Sequence, residues 1–270
     1  MTVAVAPRSL PHADRSVGLW AATAIVASRG MLRMRRMPSL VVQSVFFPTF
    51  FLIVYTGLYV AVTRLPGFPT DDIADWYLPF MLIQGAAFGG LGAGFATGLD
   101  IENGFFDRLL LTPAPRAALM LGTALYALAR SLIVGIIVAV VGIALGASPT
   151  DWRGLPLLLL AVSGVSMMSS FYSLAVMYRV KDQRAAQVLP IGMFLVLFAS
   201  NAQVPLSIAT GWVHHVGRVN PLSNVLRLAR QAFLDTGVTW SDTWGGLVAL
   251  GGCTAVLGVA AARGLRRIVP

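Results

Sequence analysis

Long apolar runs separated by short basic blocks dominate this sequence and restrict what it can fold into. Six runs approach the roughly 20 mostly apolar residues that a helix needs to cross a hydrocarbon layer: 40–62, 77–98, 117–145, 155–178, 188–209 and 244–262. No polar stretch between them is long enough to bury a core of its own, so residues 1–270 read as a single transmembrane domain. Composition agrees, with 57% of residues hydrophobic and only 11% charged, where a soluble domain carries about 25% charge. A surface so poor in charge suits lipid rather than water. The expected fold is an all-α polytopic membrane protein with six transmembrane helices. The fifth run contains Asn201, Gln203 and Pro205, so its outer end is expected to unwind.

Six crossings place both termini on one side, and the cations say which. With cytoplasmic termini, the inner segments hold Arg8, Arg15, Arg29, Arg33, Arg35, Arg36, Arg108, Arg116, Arg179, Lys181, Arg184, Arg263, Arg266 and Arg267. The outer loops hold only Arg64, Arg153, Arg218, Arg227 and Arg230, and the first is acidic through Asp71, Asp72 and Asp75. The net charge of +9 is spread over these blocks and not gathered on one face, which argues against nucleic acid. Arg8, Arg15 and the run 17–27 look somewhat like a signal peptide. Cleavage near Ser28 would export Arg29, Arg33, Arg35 and Arg36, against the bias just counted, and the run is too short to span. An interfacial helix over 16–37 is the better reading. Arg29, Arg33 and Arg36 then share a face while Trp20 dips into the headgroup boundary. A solvated basic stretch is the alternative.

Several chemistries are excluded. A nucleotide-binding P-loop, G-x-x-x-x-G-K-S/T, needs a lysine; the only one, Lys181, lies between Val180 and Asp182. Cys253 is alone and cannot form an internal disulfide. His214 and His215 are adjacent and have no evident third ligand, so no metal site is expected. Ser163, Ser166, Ser169 and Ser170 have no nearby histidine, and such hydroxyls usually bond their own helix backbone. Gly85 and Gly89, and Gly90, Gly94 and Gly98, recur four apart, the spacing that lets helices approach closely in lipid; a hinge is the alternative.

The most informative stretch runs from Leu99 to Gly122. Asp100, Glu102 and Asp107 surround Phe105 and Phe106, followed by Arg108, Leu109 and Leu110, and then Thr112, Pro113 and Pro115. Read as a short cytosolic helix ended by Pro113, it presents an apolar knob bordered by mixed charge. Aromatic side chains are favoured anchors at protein interfaces. The alternative, a helix lying on lipid, is opposed by three acids beside an anionic leaflet.

This stretch resembles the permease subunits of type-2 ABC transporters, especially the daunorubicin-resistance branch. Those proteins carry an acid, a glycine, one or two bulky residues, an acidic residue with Arg-Leu-Leu, and a Thr-Pro turn. Here the pattern is Glu102, Gly104, Phe105, Phe106, Asp107, Arg108, Leu109, Leu110, Thr112 and Pro113; Asn103 and the paired phenylalanines depart from it. A second likeness, NPLSNVLRLARQAF from Asn220, matches an outer helix before the last span. Asn220 suits a cap, Pro221 suits the first helical position, and Arg227 and Arg230, three apart, are expected to share one face.

The resemblance implies an exporter of an amphipathic drug or lipid in a bacterial inner membrane, or alternatively a polysaccharide exporter or a non-transporting scaffold. It implies a coupling helix (Glu102, Gly104, Phe105, Phe106, Asp107, Arg108, Leu109, Thr112 and Pro113) seated in a separate ABC ATPase. Two ATPase copies would bind ATP and Mg, two permeases would move against each other, and this chain would bind no cofactor. Arg179, Lys181, Asp182 and Arg184 are a candidate second cytoplasmic contact. Gln84, Gly85, Phe88, Arg130, Asn201 and Gln203 are candidates to line the path. Arg130 is the unusual one, since a charge within a span is costly. It reads either as snorkelling or paired with Glu102 or Asp100, or as a substrate or lipid-headgroup contact.

Overall fold

The computed structural model describes residues 18–268; Arg8, Arg15 and residues 16 and 17 of the expected interfacial helix lie outside them. The described chain is helical throughout its ordered elements: α1 (Leu19–Arg36), α2 (Ser39–Leu58), α3 (Ile73–Glu102), α4 (Phe105–Leu110), α5 (Arg116–Ala144), α6 (Leu155–Val180), α7 (Gln183–Ala186), α8 (Leu189–Phe198), α9 (Gly211–Val219), α10 (Pro221–Arg230) and α11 (Trp240–Ile268), with short 3-10 turns at Val60–Arg64 and Trp152–Gly154. Four helices are long and apolar enough to cross a membrane: α3, α5, α6 with its preceding turn, and α11. Two shorter apolar helices, Ser44–Leu58 within α2 and Gln183–Phe198 across α7 and α8, accompany them.

The ends of these helices follow local chemistry. Asp72 accepts the Ala74 N–H at 2.8 Å and caps α3. Asp182 does the same for Arg184 at the start of α7. Arg33, Arg35 and Arg36 close α1, where cations complement the helix dipole. The expected first span, 40–62, stops at Leu58 and tightens into the 3-10 turn.

α3 is the hub, buried along most of its length and in contact with α2, α5, α6, α8 and α10. Its glycines allow this. A Cβ on Gly90 would collide with the Ser166 carbonyl, one on Gly94 would lie 2.6 Å from Ser173 Cβ, and one on Gly85 would press on Val134 at 3.0 Å. Close approach then brings hydroxyls to bare carbonyls. Ser169 Oγ donates to Ala87 O at 2.5 Å, Ser131 Oγ donates to Ala86 O at 3.1 Å, and Ser173 Oγ accepts the Gly94 N–H at 3.0 Å. This corrects the expectation for the α6 serines. Ser170 does bond its own helix, to Ser166 O at 2.7 Å, but Ser166 and Ser169 bond across to Ser131 and α3.

The fifth run, 188–209, unwinds at its outer end as Asn201, Gln203 and Pro205 led one to expect, and does so before reaching them. Helix α8 ends at Phe198 after ten residues, about 15 Å of rise against a hydrocarbon core of about 30 Å. The chain then turns and returns through α9 and α10. Asn220 caps α10 through the Leu222 N–H at 2.9 Å and donates Nδ2 to Val196 O at 2.7 Å, tying α10 to α8. Arg230 closes the broken end. It is 1% exposed, donates to Trp76 O, Asn201 O and Ala202 O at 3.3, 3.0 and 2.8 Å, and lies 3.3 Å over the Trp76 ring. Arg227 and Arg230 therefore do not share a face, because Arg227 is exposed. Burial pulls the Arg230 guanidinium down to about 9, which leaves it charged at neutral pH.

The bundle has two chemically distinct ends. The end carrying α4 gathers Arg108, Arg116, Arg179, Lys181, Arg184 and the arginines of α1 and the α11 terminus. At the opposite end Trp152, Trp212, Trp240 and Trp244 are exposed, as side chains with an apolar body and a polar tip are at a membrane interface.

Candidate functional site

The α4 end begins where α3 stops. Asn103 Nδ2 donates to Leu99 O at 2.8 Å, and Gly104 follows at φ 65°. A Cβ at Gly104 would meet nothing within 4 Å, so the left-handed backbone, not space, calls for glycine here. The chain can then reverse into α4 in a single step. On so short a helix consecutive side chains point about 100° apart, and the two phenylalanines separate. Phe106 is 5% exposed, with its ring 5.8 Å from that of Tyr178 on α6. Phe105 is half-buried beneath the Arg29 guanidinium, 3.9 Å from its ring centre. The expectation of two exposed aromatics is corrected on this point: Phe106 anchors α4 to the bundle. The rim left exposed is Glu102, Asp107, Arg108, Leu111, Thr112 and Pro113, with Leu111 87% exposed and Leu109 half-buried. Thr112 Oγ1 donates to Leu109 O at 2.6 Å and shapes the turn that follows.

Arg29 also belongs to a second cluster. Its two terminal nitrogens bond both oxygens of Asp100 at 2.8 Å, a bidentate pairing, and Arg33 bonds Asp100 Oδ1 at 2.8 Å. One carboxylate at the last turn of α3 thus pins α1, and Arg29 bridges it to Phe105 on α4. Of the arginine face of α1, Arg29 and Arg33 are turned to the protein, while Arg36 is exposed. Four-residue spacing placed Arg29 and Arg33 together, but nothing local named Asp100 as their partner.

Beside this cluster lies a cavity of about 370 Å³ that Arg33, Phe88, Tyr126 and Arg130 help to line. Arg130 is 5% exposed and donates Nη2 to Ser44 Oγ on α2. It reaches its place because Gly92 carries no side chain; a Cβ there would strike Nη1. Asp100 is occupied by Arg29 and Arg33, and Glu102 is exposed.

The remaining candidates separate. Phe88 and Arg130 share the cavity. Gln84 is fully buried on α3, and Gly85 packs on Val134 and Pro48. Asn201 and Gln203 sit at the far end, their carbonyls taken by Arg230 and by the Tyr77 hydroxyl at 3.1 Å. Arg179, Lys181, Asp182 and Arg184 are all exposed at the α4 end. Gln183 and Gln187, which flank and follow that turn, line the cavity and were not singled out by the sequence. Among the described residues no three His, Cys, Asp or Glu side chains group to hold a metal ion.

Comparison with known proteins gives a consistent answer. Residues 21–234 match the family model described as ABC-2 type transporter, a stretch running from α1 to the end of α10. The daunorubicin resistance ABC transporter permease protein DrrB1 of Streptomyces coeruleorubidus is 25% identical over 227 residues, covering 81% of this chain and 79% of that protein. A protein of Pyropia yezoensis described as a transport permease, ycf38, is 29% identical over 224 residues, covering 80% of this chain and 74% of its own length. A second ycf38, from Porphyra purpurea, is 25% identical over 223 residues, with 81% and 76% covered. With a hub helix built for close packing, a basic end bearing an anchored protrusion, and a family match over most of its length, the chain belongs to the ABC-2 type transporter family.

Proposed function

We propose that this chain is the membrane-spanning subunit of an ATP-driven exporter of amphipathic drug-like or lipid molecules, powered by a separate ABC ATPase that binds the ATP and Mg. In this reading the α4 end faces the cytoplasm of a bacterial cell. Two copies of the chain, or this chain and a related permease, pair over two ATPases. The observation that carries the reading is the construction of α4. A protrusion that transmits force must be exposed where it meets its partner and stiff where it joins the bundle. Glu102, Asp107, Arg108 and Leu111 offer the exposed rim, while Phe106 on Tyr178 and Arg29 on Phe105 and Asp100 supply the stiffness. Arg179, Lys181, Asp182 and Arg184 extend the same end as a second contact. The export of a drug or lipid rather than another cargo rests on the likeness to the daunorubicin resistance permease.

The test is recovery of an ABC ATPase with the tagged full chain from its own membranes, comparing wild type with Asp107→Lys and Leu111→Asp. Both substitutions alter only exposed side chains. Interface anchors typically contribute at least about 2 kcal/mol, so co-purified ATPase should fall by roughly tenfold or more while the permease stays folded. Undiminished recovery in both variants would rule out α4 as the docking element.

A further inference from the structure

The cavity at the α4 end combines two kinds of wall. Arg33 of α1 and Arg130 of α5 supply guanidinium groups, and Phe47 of α2, Phe88 of α3 and Phe194 of α8 supply rings. The rings are continuous: Phe88 and Phe194 lie 4.7 Å apart, Phe47 meets Phe194 edge-on at 6.2 Å, and Phe47 touches Phe46 at 5.6 Å. Phe46 is exposed, so the aromatic wall runs out to the apolar surface of the bundle. The basic wall is held in place from behind. Ser44 accepts from Arg130, and Asp100 serves Arg29 and Arg33 together, one carboxylate for two guanidiniums.

We propose that this cavity holds an anionic phospholipid of the adjoining leaflet, its phosphate gripped by Arg33 and Arg130 and the start of an acyl chain laid along Phe47, Phe88 and Phe194. Guanidinium groups match phosphate oxygens in geometry as well as charge. A net-negative headgroup offsets the cation excess around Asp100, which a zwitterionic headgroup does not. A volume of about 370 Å³ falls within the range of small-molecule sites, enough for a headgroup and the beginning of a chain, while the rest of the lipid stays in the bilayer. The binding is independent of export, so it is measured on the full chain without ATPase or ATP.

The full chain is reconstituted into nanodiscs of mixed phosphatidylglycerol and phosphatidylcholine, and the lipid retained after extraction is counted by native mass spectrometry. Phosphatidylglycerol should be retained preferentially. Arg130→Gln and Arg33→Gln should each lower that preference by about fivefold, as expected for one cation near an anionic headgroup. Arg130→Lys should fall between, keeping the charge but not the planar fork, and Arg227→Gln, exposed at the far end, should leave it unchanged. If Arg130→Gln fails to fold, Arg33→Gln carries the comparison, since Arg33 is partly exposed and Asp100 keeps Arg29. Equal retention of the two lipids, or a preference that survives the glutamine variants, overturns the proposal. So does displacement of phosphatidylglycerol by inorganic phosphate alone, which would make the ligand a free anion.

Discussion

Arg230 sits where water is scarce and where two backbone carbonyls, those of Asn201 and Ala202, lie past the end of α8. Removing its guanidinium strands Asn201 O and Ala202 O and takes a second donor from the helical Trp76 O. Each buried unsatisfied polar group costs about 1–3 kcal/mol, so Arg230→Met should destabilise the protein by roughly 2 kcal/mol or more. Arg230→Lys should fall between, since an ammonium keeps the charge but not the planar fork. Melting temperatures of the detergent-purified variants measure this, and a methionine variant as stable as wild type would refute the assignment. Arg130 illustrates a different use of a buried cation. It lines an open cavity and is positioned by small neighbours, Ser44 and Gly92, rather than filling a gap in the backbone.

At the level of elements, the α3 glycines have a directional consequence. A methyl group on Gly90 has no room against the Ser166 carbonyl, whereas Gly252 on α11 has nothing within 4 Å. Gly90→Ala should cost about 1–3 kcal/mol through overpacking. Gly252→Ala should be neutral within about 0.5 kcal/mol, as expected for a surface change. Thermal unfolding of the pair is the measurement, and equal effects would count against close α3–α6 packing. This packing was legible in the sequence because small residues four apart face one neighbour whatever that neighbour is. So were α5 and α6, whose bounds follow their apolar runs nearly residue for residue, and the Asn220–Pro221 cap, which is a local device. What escaped was whatever depends on distant chain. The unwinding after α8 was expected from Asn201, Gln203 and Pro205, but not that Arg230 would serve its carbonyls. The inward turn of Phe106 depends on Tyr178, and the burial of Asp100 depends on arginines 71 and 67 residues away. Polarity within a span, the signal carried by Gln84, Arg130, Asn201 and Gln203, does not distinguish Gln84 in the packed core from Arg130 at a cavity.

For the whole molecule, the proposed orientation, with the arginine blocks inside, can be read in intact cells. In a Cys253→Ala background, Thr236→Cys should react with a membrane-impermeant maleimide from outside. Thr112→Cys, on the exposed turn after α4, should react only after permeabilisation, and the reverse pattern would invert the topology. The far end carries a further consequence for how the chain is made. The carbonyls stranded where α8 breaks off are satisfied by a side chain 29 and 28 residues later, and that side chain also reaches back 154 residues to Trp76. A nascent chain that leaves the ribosome residue by residue presents α8 well before Arg230 exists. Until Arg230 is made, water must serve the carbonyls past α8, so this end of the bundle closes only with the carboxyl-terminal part in place.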